Sequence, residues 1–428
     1  MVQELLNKTK LLSVTGLGYV GLPLALAFAK KIKVIAFDTN AERVALMQQK
    51  IDPSHELKAE DFEGCDIVFT HNEKDLAKAH FHIIAVPTDI DEYKVPNLQP
   101  LLAATQSVAK ALKNNDFVIF ESTVYPGCTE DDCLPLLEYY SKLKGGSDFS
   151  YGYSPERIVP GDKVKNVTTI NKVISANTVE ALEVIEAVYS TVITAELYKV
   201  SSIKVAEAAK VIENTQRDLN ISLVNELAII FDKLGINTNE VIEAAGTKWN
   251  FIKYKPGLVG GHCISVDPYY LIHKAKQLGV DPQVIAAGRR VNDYIPSFIA
   301  KKCVQTLIEQ GKNPSATKVL VMGITFKENV TDIRNSKVVE LIKELQGYSI
   351  NVHVTDPLAS VTEVAKAYGI TLITQLDNDY DAIIITVAHN DYKLITEAQL
   401  TRLCKPNYYL FDIKGIKSAL QLPNYWEM

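Results

Sequence analysis

Features that would assign a chain to a specialised class at once are scarce in these 428 residues. The six cysteines form no Cys-x-x-Cys pair, and they look like reduced thiols rather than a disulfide framework. No apolar run approaches the roughly 20 residues that span a membrane, and residues 1–10 contain no hydrophobic signal core. The sequence therefore predicts a cytoplasmic protein with no membrane segment.

A strong excess of one charge is also missing. The formal net charge is −6 and the sequence pI is about 5.8, so a broad surface for nucleic acid or anionic lipid is not expected, while a local basic pocket for phosphate is still allowed. The eight histidines show no metal-ligand spacing, and no metal is expected. His80 and His82 alternate at the start of a predicted strand, which we interpret as a solvated edge.

What the chain does have is a regular alternation of strands and helices. Hydrophobic residues make up 47% of it, enough for packed cores, and its length predicts two or three domains. Strands are predicted at residues 11–15, 33–37, 67–69, 82–86, 117–120, 318–323, 350–355, 381–387 and 408–412. The alternation predicts two parallel α/β sheets, the second smaller than the first.

A long helix is predicted in the sequence between the two sheets. Apolar residues recur at helical spacing over 202–234, and neither proline nor glycine interrupts this stretch. At 1.5 Å per residue the helix would be roughly 45 Å long. Helices of this length usually span domains or form a dimer interface.

A glycine-rich turn follows the first predicted strand and opens an apolar helix. In the run Gly16-Leu-Gly18-Tyr19-Val20-Gly21, Gly16 permits a tight turn, Gly18 lets a pyrophosphate approach the backbone, and Gly21 lets the helix pack on the strand. The N-terminus of the helix adds free N–H groups and a positive dipole. The three glycines, with Tyr19 and Val20 between them, are therefore predicted to bind a dinucleotide.

Further cofactor contacts are predicted at the ends of other strands. Asp38, 20 residues after Gly18, is expected to bind the adenosine ribose and to repel a 2′-phosphate, which favours NAD over NADP. Arg43 is predicted on the adenine side, with a plain surface charge as the alternative. Thr88 and Thr123 lie in turns after two strands and are predicted to touch cofactor or substrate, although ordinary turn hydroxyls would look the same.

Cys263 lies in the run Val-Gly-Gly-His-Cys-Ile-Ser-Val-Asp at residues 259–267. A cysteine on a glycine-rich turn is a nucleophile that can trap an aldehyde. Together with a dinucleotide motif, it predicts oxidation of an alcohol past the aldehyde to a carboxylate. A buried, inert cysteine is the alternative.

Polar groups suited to the same chemistry lie on either side. Lys210 and Asn214 are four residues apart on one face of the long helix, and an ammonium and an amide suit the oxyanion formed when a thiolate adds to an aldehyde. Asp267 could orient Lys210 or relay a proton, and Gly260 would bring backbone close to the substrate. A solvated helix face is the alternative for Lys210 and Asn214.

These runs, taken in order, resemble the bacterial UDP-sugar 6-dehydrogenases of the UDP-glucose/GDP-mannose dehydrogenase superfamily. The resemblance covers nearly the whole chain, and its landmarks are Gly16-Leu-Gly-Tyr-Val-Gly21, Glu121-Ser-Thr-Val124, Tyr153-Ser-Pro-Glu-Arg157, Lys210-Val-Ile-Glu-Asn214, Gly260-Gly-His-Cys263 and Gly323-Ile-Thr-Phe-Lys327 running to Arg334. It implies an NAD-binding Rossmann domain over 1–198, a central helical dimerisation and catalytic region over 199–300, and a Rossmann-like UDP-sugar-binding domain over 301–428.

The resemblance also implies a reaction and the residues that perform it. The C6 alcohol of a UDP-sugar becomes an aldehyde, Cys263 adds to it, and a second oxidation gives a thioester that water opens, so that two NAD are reduced per sugar. Lys210 and Asn214 would hold the C6 oxygen, and Asp267 would assist proton movement. The other implied site residues are Glu156 for hydrolysis, Thr123 for placing water, Arg157, Tyr254, Gly260, Lys327 and Lys414 for the substrate, and Arg334 for the cofactor. The partners implied are the UDP-sugar and a second copy of the chain, in a homodimer or higher homo-oligomer.

Two departures narrow the branch. Pro160 replaces an acid, and Val266 replaces a lysine, that UDP-glucose enzymes usually carry. The runs at 254–270 and 287–293 look like the N-acetylhexosamine branch, which implies UDP-GalNAc or UDP-GlcNAc as substrate and a role in surface polysaccharide synthesis. UDP-glucose and UDP-ManNAc are alternative substrates.

Two other functions compete with this one. Two-domain 3-hydroxyacid dehydrogenases also place lysine and asparagine four apart on a helix, but they lack the cysteine turn and a second α/β sheet. A non-catalytic regulator that binds NAD or a sugar nucleotide would need a broken site, and every expected group is present here.

Overall fold

The computed structural model describes residues 1–54, 56–157, 166–261, 264–420 and 422–428. The chain forms two compact units, one made of Met1–Glu213 with Tyr269–Val280 and the other of Asn214–Pro268 with Asp281–Met428. Each unit contains its own sheet, and all neighbouring strands of these two sheets are parallel except one pair in the first unit. In the part of the chain that the structure describes, no helix is both long and apolar enough to cross a membrane.

The first unit is built on an eight-stranded sheet. The strands of this unit are β1 (Leu11–Thr15), β2 (Val34–Phe37), β3 (Ile67–Thr70), β4 (Ala79–Ile84), β5 (Asp89–Ile90), β6 (Pro96–Asn97), β7 (Phe117–Phe120), β8 (Ser150–Tyr153), β9 (Lys172–Ala176) and β10 (Leu197–Lys199). Strands β5 and β6 form a separate antiparallel hairpin, and the other eight form the sheet. The order is β10-β9-β8-β7-β4-β1-β2-β3, and the pairs are parallel except β8 with β9. The four neighbouring parallel strands β7, β4, β1 and β2 end at one edge of the sheet.

The helices of this part of the chain follow the strands in alternation. They are α1 (Val2–Leu6), α2 (Gly21–Ala29), α3 (Ala41–Gln48), α4 (Gln99–Ala109), α5 (Leu134–Ser141), α6 (Val179–Tyr189) and α7 (Ile203–Leu234), with 3-10 turns at Ala59–Phe62 and Glu73–Lys78 and a π-helical turn at Thr129–Cys133. All four residues of β2 are buried, as expected for a parallel strand that is covered on both faces. Asn40 caps α3 by accepting from the backbone N–H groups of Glu42 and Arg43.

The second unit contains a five-stranded sheet in which every neighbouring pair is parallel. Its strands are β11 (Lys318–Met322), β12 (Asn351–Thr355), β13 (Tyr380–Ile385), β14 (Cys404–Asp412) and β15 (Tyr425–Glu427), in the order β12-β11-β13-β14-β15. The remaining helices are α8 (Thr238–Ala245), α9 (Asp267–Gln277), α10 (Gln283–Glu309), α11 (Val338–Gly347), α12 (Val361–Tyr368), α13 (Asn390–Leu394) and α14 (Glu397–Arg402), with 3-10 turns at Pro314–Ala316 and Ser418–Leu420. The boundary between the two units falls within α7 and α9.

The predicted α/β class with two parallel sheets is confirmed, and the strands at 11–15 and 117–120 have the predicted bounds. Strands β5, β6, β8, β9, β10 and β15, which have two to five residues each, were not predicted from the sequence. The interpretation of His82 as a solvated residue is wrong. His82 is fully buried, its Nδ1 lies 2.8 Å from Ser13 Oγ, and burial lowers the pKa of its ring although Asp116 opposes this.

Candidate active site

The glycine turn after β1 has the conformation that its sequence predicts. Gly16 has φ +91°, and a Cβ on Gly21 would lie 1.8 Å from the Gly16 carbonyl oxygen, so a side chain is excluded at both positions. At Gly18, by contrast, a Cβ would meet nothing within 4 Å. Gly16 and Gly21 are therefore required by the protein itself, whereas the open space at Gly18 suits a ligand that approaches the backbone.

Asp38 is held at the end of β2, next to this turn. Its Oδ2 accepts from Leu17 N at 3.0 Å, and its Oδ1 accepts from Asn40 N at 2.9 Å. Arg43 donates to the Leu17 carbonyl at 3.0 Å, so its guanidinium lies at the same turn. The half-exposed carboxylate and the uncapped N-terminus of α2 at Val20 fit the ribose and the pyrophosphate of a dinucleotide.

Thr88 and Thr123 lie at the same edge of the sheet. They follow β4 and β7, which are neighbours, and both are half-buried. The two turns are joined directly, since Glu121 N donates to the carbonyl of Ile84 at 2.8 Å and Ser122 Oγ to that of Val86 at 2.7 Å. The structure therefore brings the two threonines to the sheet edge where the glycine turn and Asp38 also lie.

Glu156 is buried in the loop after β8. A buried ion pair that the sequence analysis missed supports this loop: Lys172 Nζ lies 2.8 Å from Glu121 Oε2 and donates to the carbonyl of Pro155 at 3.2 Å. Tyr189 donates to the other oxygen of Glu121. Only the position of Glu121 at the end of β7 hinted at this role, because Lys172 lies 51 residues away in sequence.

Arg157, which was predicted to bind substrate, pairs with Glu213 of α7. Its Nε lies 3.2 Å from Glu213 Oε2, its NH2 contacts the other carboxylate oxygen, and its NH1 donates to the Asn171 carbonyl at 3.0 Å. In the described structure this guanidinium thus ties the loop after β8 to the long helix. Residues 158–165, including Pro160, lie outside the described residues.

The predicted polar residues of α7 are found in contrasting settings. Lys210 is buried, with only 5% of its surface exposed, so the alternative of a solvated helix face does not describe it. Asn214, one helical turn further on, donates from Nδ2 to Asp267 Oδ2 at 2.6 Å. Asp267 is itself buried in the first turn of α9, where the helix dipole favours a carboxylate.

The glycine-rich turn before Cys263 packs closely on the loop after β11. A Cβ on Gly260 would lie 2.5 Å from the Asn335 carbonyl oxygen, and this oxygen accepts from Gly261 N at 3.2 Å. Gly261 has φ +90°, and a Cβ on it would lie 2.7 Å from the ring of Phe326. Cys263 itself lies outside the described residues, as does His262.

A second group of buried polar contacts, also not predicted from the sequence, holds the backbone at Gly257, two residues before the run 259–267. The buried Asn225 of α7 brackets Gly257, because its Oδ1 accepts from Gly257 N at 2.8 Å and its Nδ2 donates to Gly257 O at 3.1 Å. The same Nδ2 donates to Asn292 Oδ1 of α10 at 2.8 Å. A polar residue at an otherwise apolar helix position was the available signal.

The remaining predicted substrate residues lie in the second unit. Tyr254 is half-buried, and Lys414 packs against Gly257, where a Cβ would lie 2.6 Å from its Nζ. Burial lowers the pKa of the Lys414 ammonium, although the nearby carboxylate of Glu328 opposes this. Lys327 lies with its Nζ 5.4 Å from the Phe326 ring centre. Arg334, which was predicted for the cofactor, is exposed and pairs with Asp332 at 2.7 Å.

Comparison with known proteins identifies the domains. Models of the UDP-glucose/GDP-mannose dehydrogenase family match residues 10–193 (NAD binding domain), 204–294 (central domain) and 320–419 (UDP binding domain). Protein CapL of Staphylococcus aureus is 52% identical, over 96% of this chain and 97% of that protein. A UDP-N-acetyl-D-glucosamine 6-dehydrogenase of Pseudomonas aeruginosa is 51% identical, over 96% and 99%. The structure of a UDP-D-ManNAc dehydrogenase from Pyrococcus horikoshii has a TM-score of 0.86 at 29% identity and covers 95% of both chains.

A Rossmann NAD-binding domain combined with a UDP-binding domain defines an NAD-dependent UDP-sugar dehydrogenase. The chain belongs to the UDP-glucose/GDP-mannose dehydrogenase family. The resemblance stated from the sequence motifs and the prediction of NAD as cofactor are thereby confirmed.

Proposed function

We propose that the protein oxidises the C6 hydroxyl of a UDP-N-acetylhexosamine to the carboxylate in two steps, using two NAD per sugar. The observation that carries the proposal is the bond between Asn214 and Asp267, which lie 53 residues apart in sequence. It joins two of the predicted catalytic groups directly, at the end of the run that contains Cys263. A carboxylate that accepts from an amide fixes how the amide is turned, which a site for C6 chemistry requires.

The mechanism assigns one task to each of the chain's own groups. When NAD is bound, it supplies the acceptor for the hydride that leaves C6. Lys210 and Asn214 hold the C6 oxygen, and Asp267 takes the hydroxyl proton. The Cys263 thiolate adds to the aldehyde, and the second oxidation converts this adduct to a thioester.

Hydrolysis of the thioester completes the reaction. Glu156 and Thr123 place and activate the water, which restores the Cys263 thiol and releases the acid. In total one alcohol, two NAD⁺ and one water give one carboxylate, two NADH and three protons. The buried ion pair of Glu121 and Lys172 supports this step indirectly, because Lys172 holds the backbone immediately before Glu156.

UDP-GlcNAc is the substrate we favour, with UDP-GalNAc second. The supporting observation is the 51% identity to the Pseudomonas aeruginosa enzyme named for UDP-N-acetyl-D-glucosamine. A UDP-N-acetyl-D-mannosamine dehydrogenase of Methanocaldococcus jannaschii is only 33% identical over 85% of this chain. The acid product would be a precursor for the synthesis of a surface polysaccharide, and we place the enzyme itself in the cytoplasm. The described cysteines Cys65, Cys128, Cys133, Cys303 and Cys404 are all free thiols, which fits a reducing compartment.

A panel of UDP-GlcNAc, UDP-GalNAc, UDP-ManNAc and UDP-glucose, each with NAD, tests the proposal through absorbance at 340 nm. We expect two NADH per sugar with an N-acetylhexosamine, and less than a hundredth of this rate in the Cys263→Ser variant, which lacks an accessible thiolate (a barrier increase of roughly 3 kcal/mol). NAD binding by the variant, followed by fluorescence, should be unchanged. One NADH per sugar, or wild-type turnover by the variant, would overturn the covalent mechanism, and no NADH with any UDP-sugar would favour a regulator.

We further propose that the enzyme is a homodimer formed along α7. Val205, Ile212, Leu223 and Ile230 are exposed large apolar residues spaced by 7, 11 and 7 positions, which places them within about 20° of one helix face. Exposed apolar stripes of this length mark interaction surfaces. A second copy of the same helix is the partner that would match such a stripe along its whole length.

A further inference from the structure

The connection that follows the first strand differs between the two sheets: β1 in the first unit is followed by a short turn, and β11 in the second unit by a long loop. Both β1 and β11 end in a glycine with positive φ, +91° at Gly16 and +105° at Gly323. Helix α2 begins five residues after Gly16, whereas α11 does not begin until 15 residues after Gly323. The loop 324–337 therefore replaces the helix-opening turn in the second unit, and it carries Lys327 and Arg334. A loop without regular structure depends on side chains to satisfy and fix its backbone.

His389 contacts this loop from the position that precedes α13. The ring is fully buried, its Nδ1 accepts from Asn329 N at 3.0 Å, and its Nε2 lies 3.1 Å from Thr325 Oγ1 and 3.2 Å from Asp356 Oδ2. Because Nδ1 accepts, the hydrogen of the neutral ring is on Nε2, between the hydroxyl and the carboxylate. Thr325 in turn donates to the carbonyl of Lys327 at 2.9 Å. Contacts thus run without interruption from the ring to Lys327.

The bond to Asn329 is the contact that depends most on the histidine. Asn329 has φ +59°, a left-handed conformation that costs a residue with a side chain more than it costs glycine. Its side chain accepts from Asn390 N at 3.0 Å, so the residues at 389–390 hold both its backbone and its amide. Asp356, in contrast, also accepts from four backbone N–H groups, those of Ile324, Thr325, Leu358 and Ala359.

The far end of the same loop supports the turn that leads to Cys263. The Asn335 carbonyl accepts from Gly261 N and lies where a Cβ on Gly260 would be. Tyr368, the last residue of α12, donates to the Ile333 carbonyl at 2.7 Å and so also fixes the backbone at this end of the loop. A displacement of the loop at Asn329 would therefore move groups on both the predicted substrate side and the cysteine turn.

We infer that His389 is a positioning residue for the UDP-sugar, which acts by accepting from Asn329 N and thereby fixing the part of the loop that carries Lys327. The inference rests on the proposed function for the identity of the ligand. It concerns a group that touches neither the sugar nor the cofactor. Its effect should accordingly appear in the affinity for UDP and in the KM for the UDP-sugar more strongly than in the Kd for NAD, to which only Arg334, at the far end of this loop, is predicted to contribute.

Two conservative substitutions separate the two ring nitrogens. An asparagine amide reaches the position of Nδ1 and can still accept from Asn329, whereas a glutamine amide reaches the position of Nε2 and leaves Asn329 N without that acceptor. We expect His389→Gln to raise the Kd for UDP, measured by calorimetry, and the KM for the UDP-sugar about tenfold, the order expected when a buried donor loses its acceptor. His389→Asn should stay within about twofold of wild type, and the Kd for NAD should change by less than about twofold in both variants.

Hydrogen exchange of residues 324–337 provides a measurement without any ligand, and faster exchange is expected in His389→Gln but not in His389→Asn. His82→Gln is the matched control, a buried histidine in the first unit whose loss should lower Tm without changing the Kd for UDP. Equal UDP affinity in His389→Gln and wild type would overturn the inference, as would equal losses in both His389 variants together with weaker NAD binding. An inactive wild type would contradict the proposed function alone, because the exchange result would still stand.

Discussion

Asp38 illustrates how one carboxylate can have a structural and a binding role. Each of its oxygens accepts one backbone N–H, from Leu17 and from Asn40, and each has a further lone pair for a ribose hydroxyl. A 2′-phosphate at the same place would meet a negative charge. The geometry therefore supports the selectivity that the position of Asp38 in the sequence predicts.

Substitution of Asp38 by serine should weaken NAD and relax discrimination against NADP. A hydrogen bond to a charged group contributes about 1.5–3 kcal/mol, so kcat/KM for NAD should fall roughly tenfold to a hundredfold. The measurement is kcat/KM with both cofactors for both proteins. Glu42→Gln is the control, because it removes an exposed negative charge from the first turn of α3 without touching the turn at Leu17. A wild type that uses NADP as well as NAD would show that Asp38 does not contact the ribose.

Among the helices, α7 combines several roles. It carries the buried Lys210, the Asn214 that binds Asp267, and the Asn225 that brackets Gly257. Its exposed stripe would be a liability on a monomer, since large apolar side chains at the surface favour association. The proposed dimer would cover this stripe.

Leu223→Lys tests the dimer at the centre of the stripe. Because a two-fold interface contains each residue twice, losing two buried leucines at about 1.5–3 kcal/mol each should weaken dimerisation at least a hundredfold. Light scattering after gel filtration over a concentration series measures this change. Ile308→Lys is the matched control, because Ile308 of α10 has the same 57% exposure as Leu223 but lies off α7. An oligomeric state that Leu223→Lys leaves unchanged would contradict the proposal.

On the scale of the whole molecule, one buried carboxyl makes stability depend on pH. Glu207 is fully buried, and burial raises its pKa from 4.5 to about 7, although it accepts from Thr129 N at 2.9 Å and Gly127 N at 2.5 Å. A carboxyl with a raised pKa holds its proton longer in the folded state than in the unfolded chain. Stability should therefore fall as pH rises from about 4.5 through about 7, by an amount on the order of 3 kcal/mol.

Glu207→Gln removes this titration and should flatten the dependence of Tm on pH between 5 and 8, measured by calorimetry at constant ionic strength. Glu180→Gln, at an exposed position in the first turn of α6, is the control and should keep the wild-type slope. A Glu207→Gln protein whose Tm still falls as steeply as that of wild type would show that another group causes the dependence.

Motifs that consist of neighbouring residues were predictable from the sequence. The glycine turn, Asp38 at the end of β2 and the uninterrupted α7 each depend on local conformation, and their bounds differ from the predicted ones by no more than a residue. The stretch 82–86 shows the opposite case. The strand there is Ala79–Ile84, and His82 is buried on an interior strand that pairs with β1 on one side and β7 on the other, a position that no local pattern reveals.

The sequence by itself determined the family, the cofactor and the residue types available for the chemistry, because short motifs encode turns and strand ends directly. Only the tertiary structure decided which of these residues meet. The bond of Asn214 to Asp267, the pair of Glu121 with Lys172 and the bond of His389 to Asn329 join residues that are 53, 51 and 60 positions apart. Such contacts depend on how strands are ordered and how loops are anchored, and burial makes their geometry specific, because a polar group removed from water must find a partner.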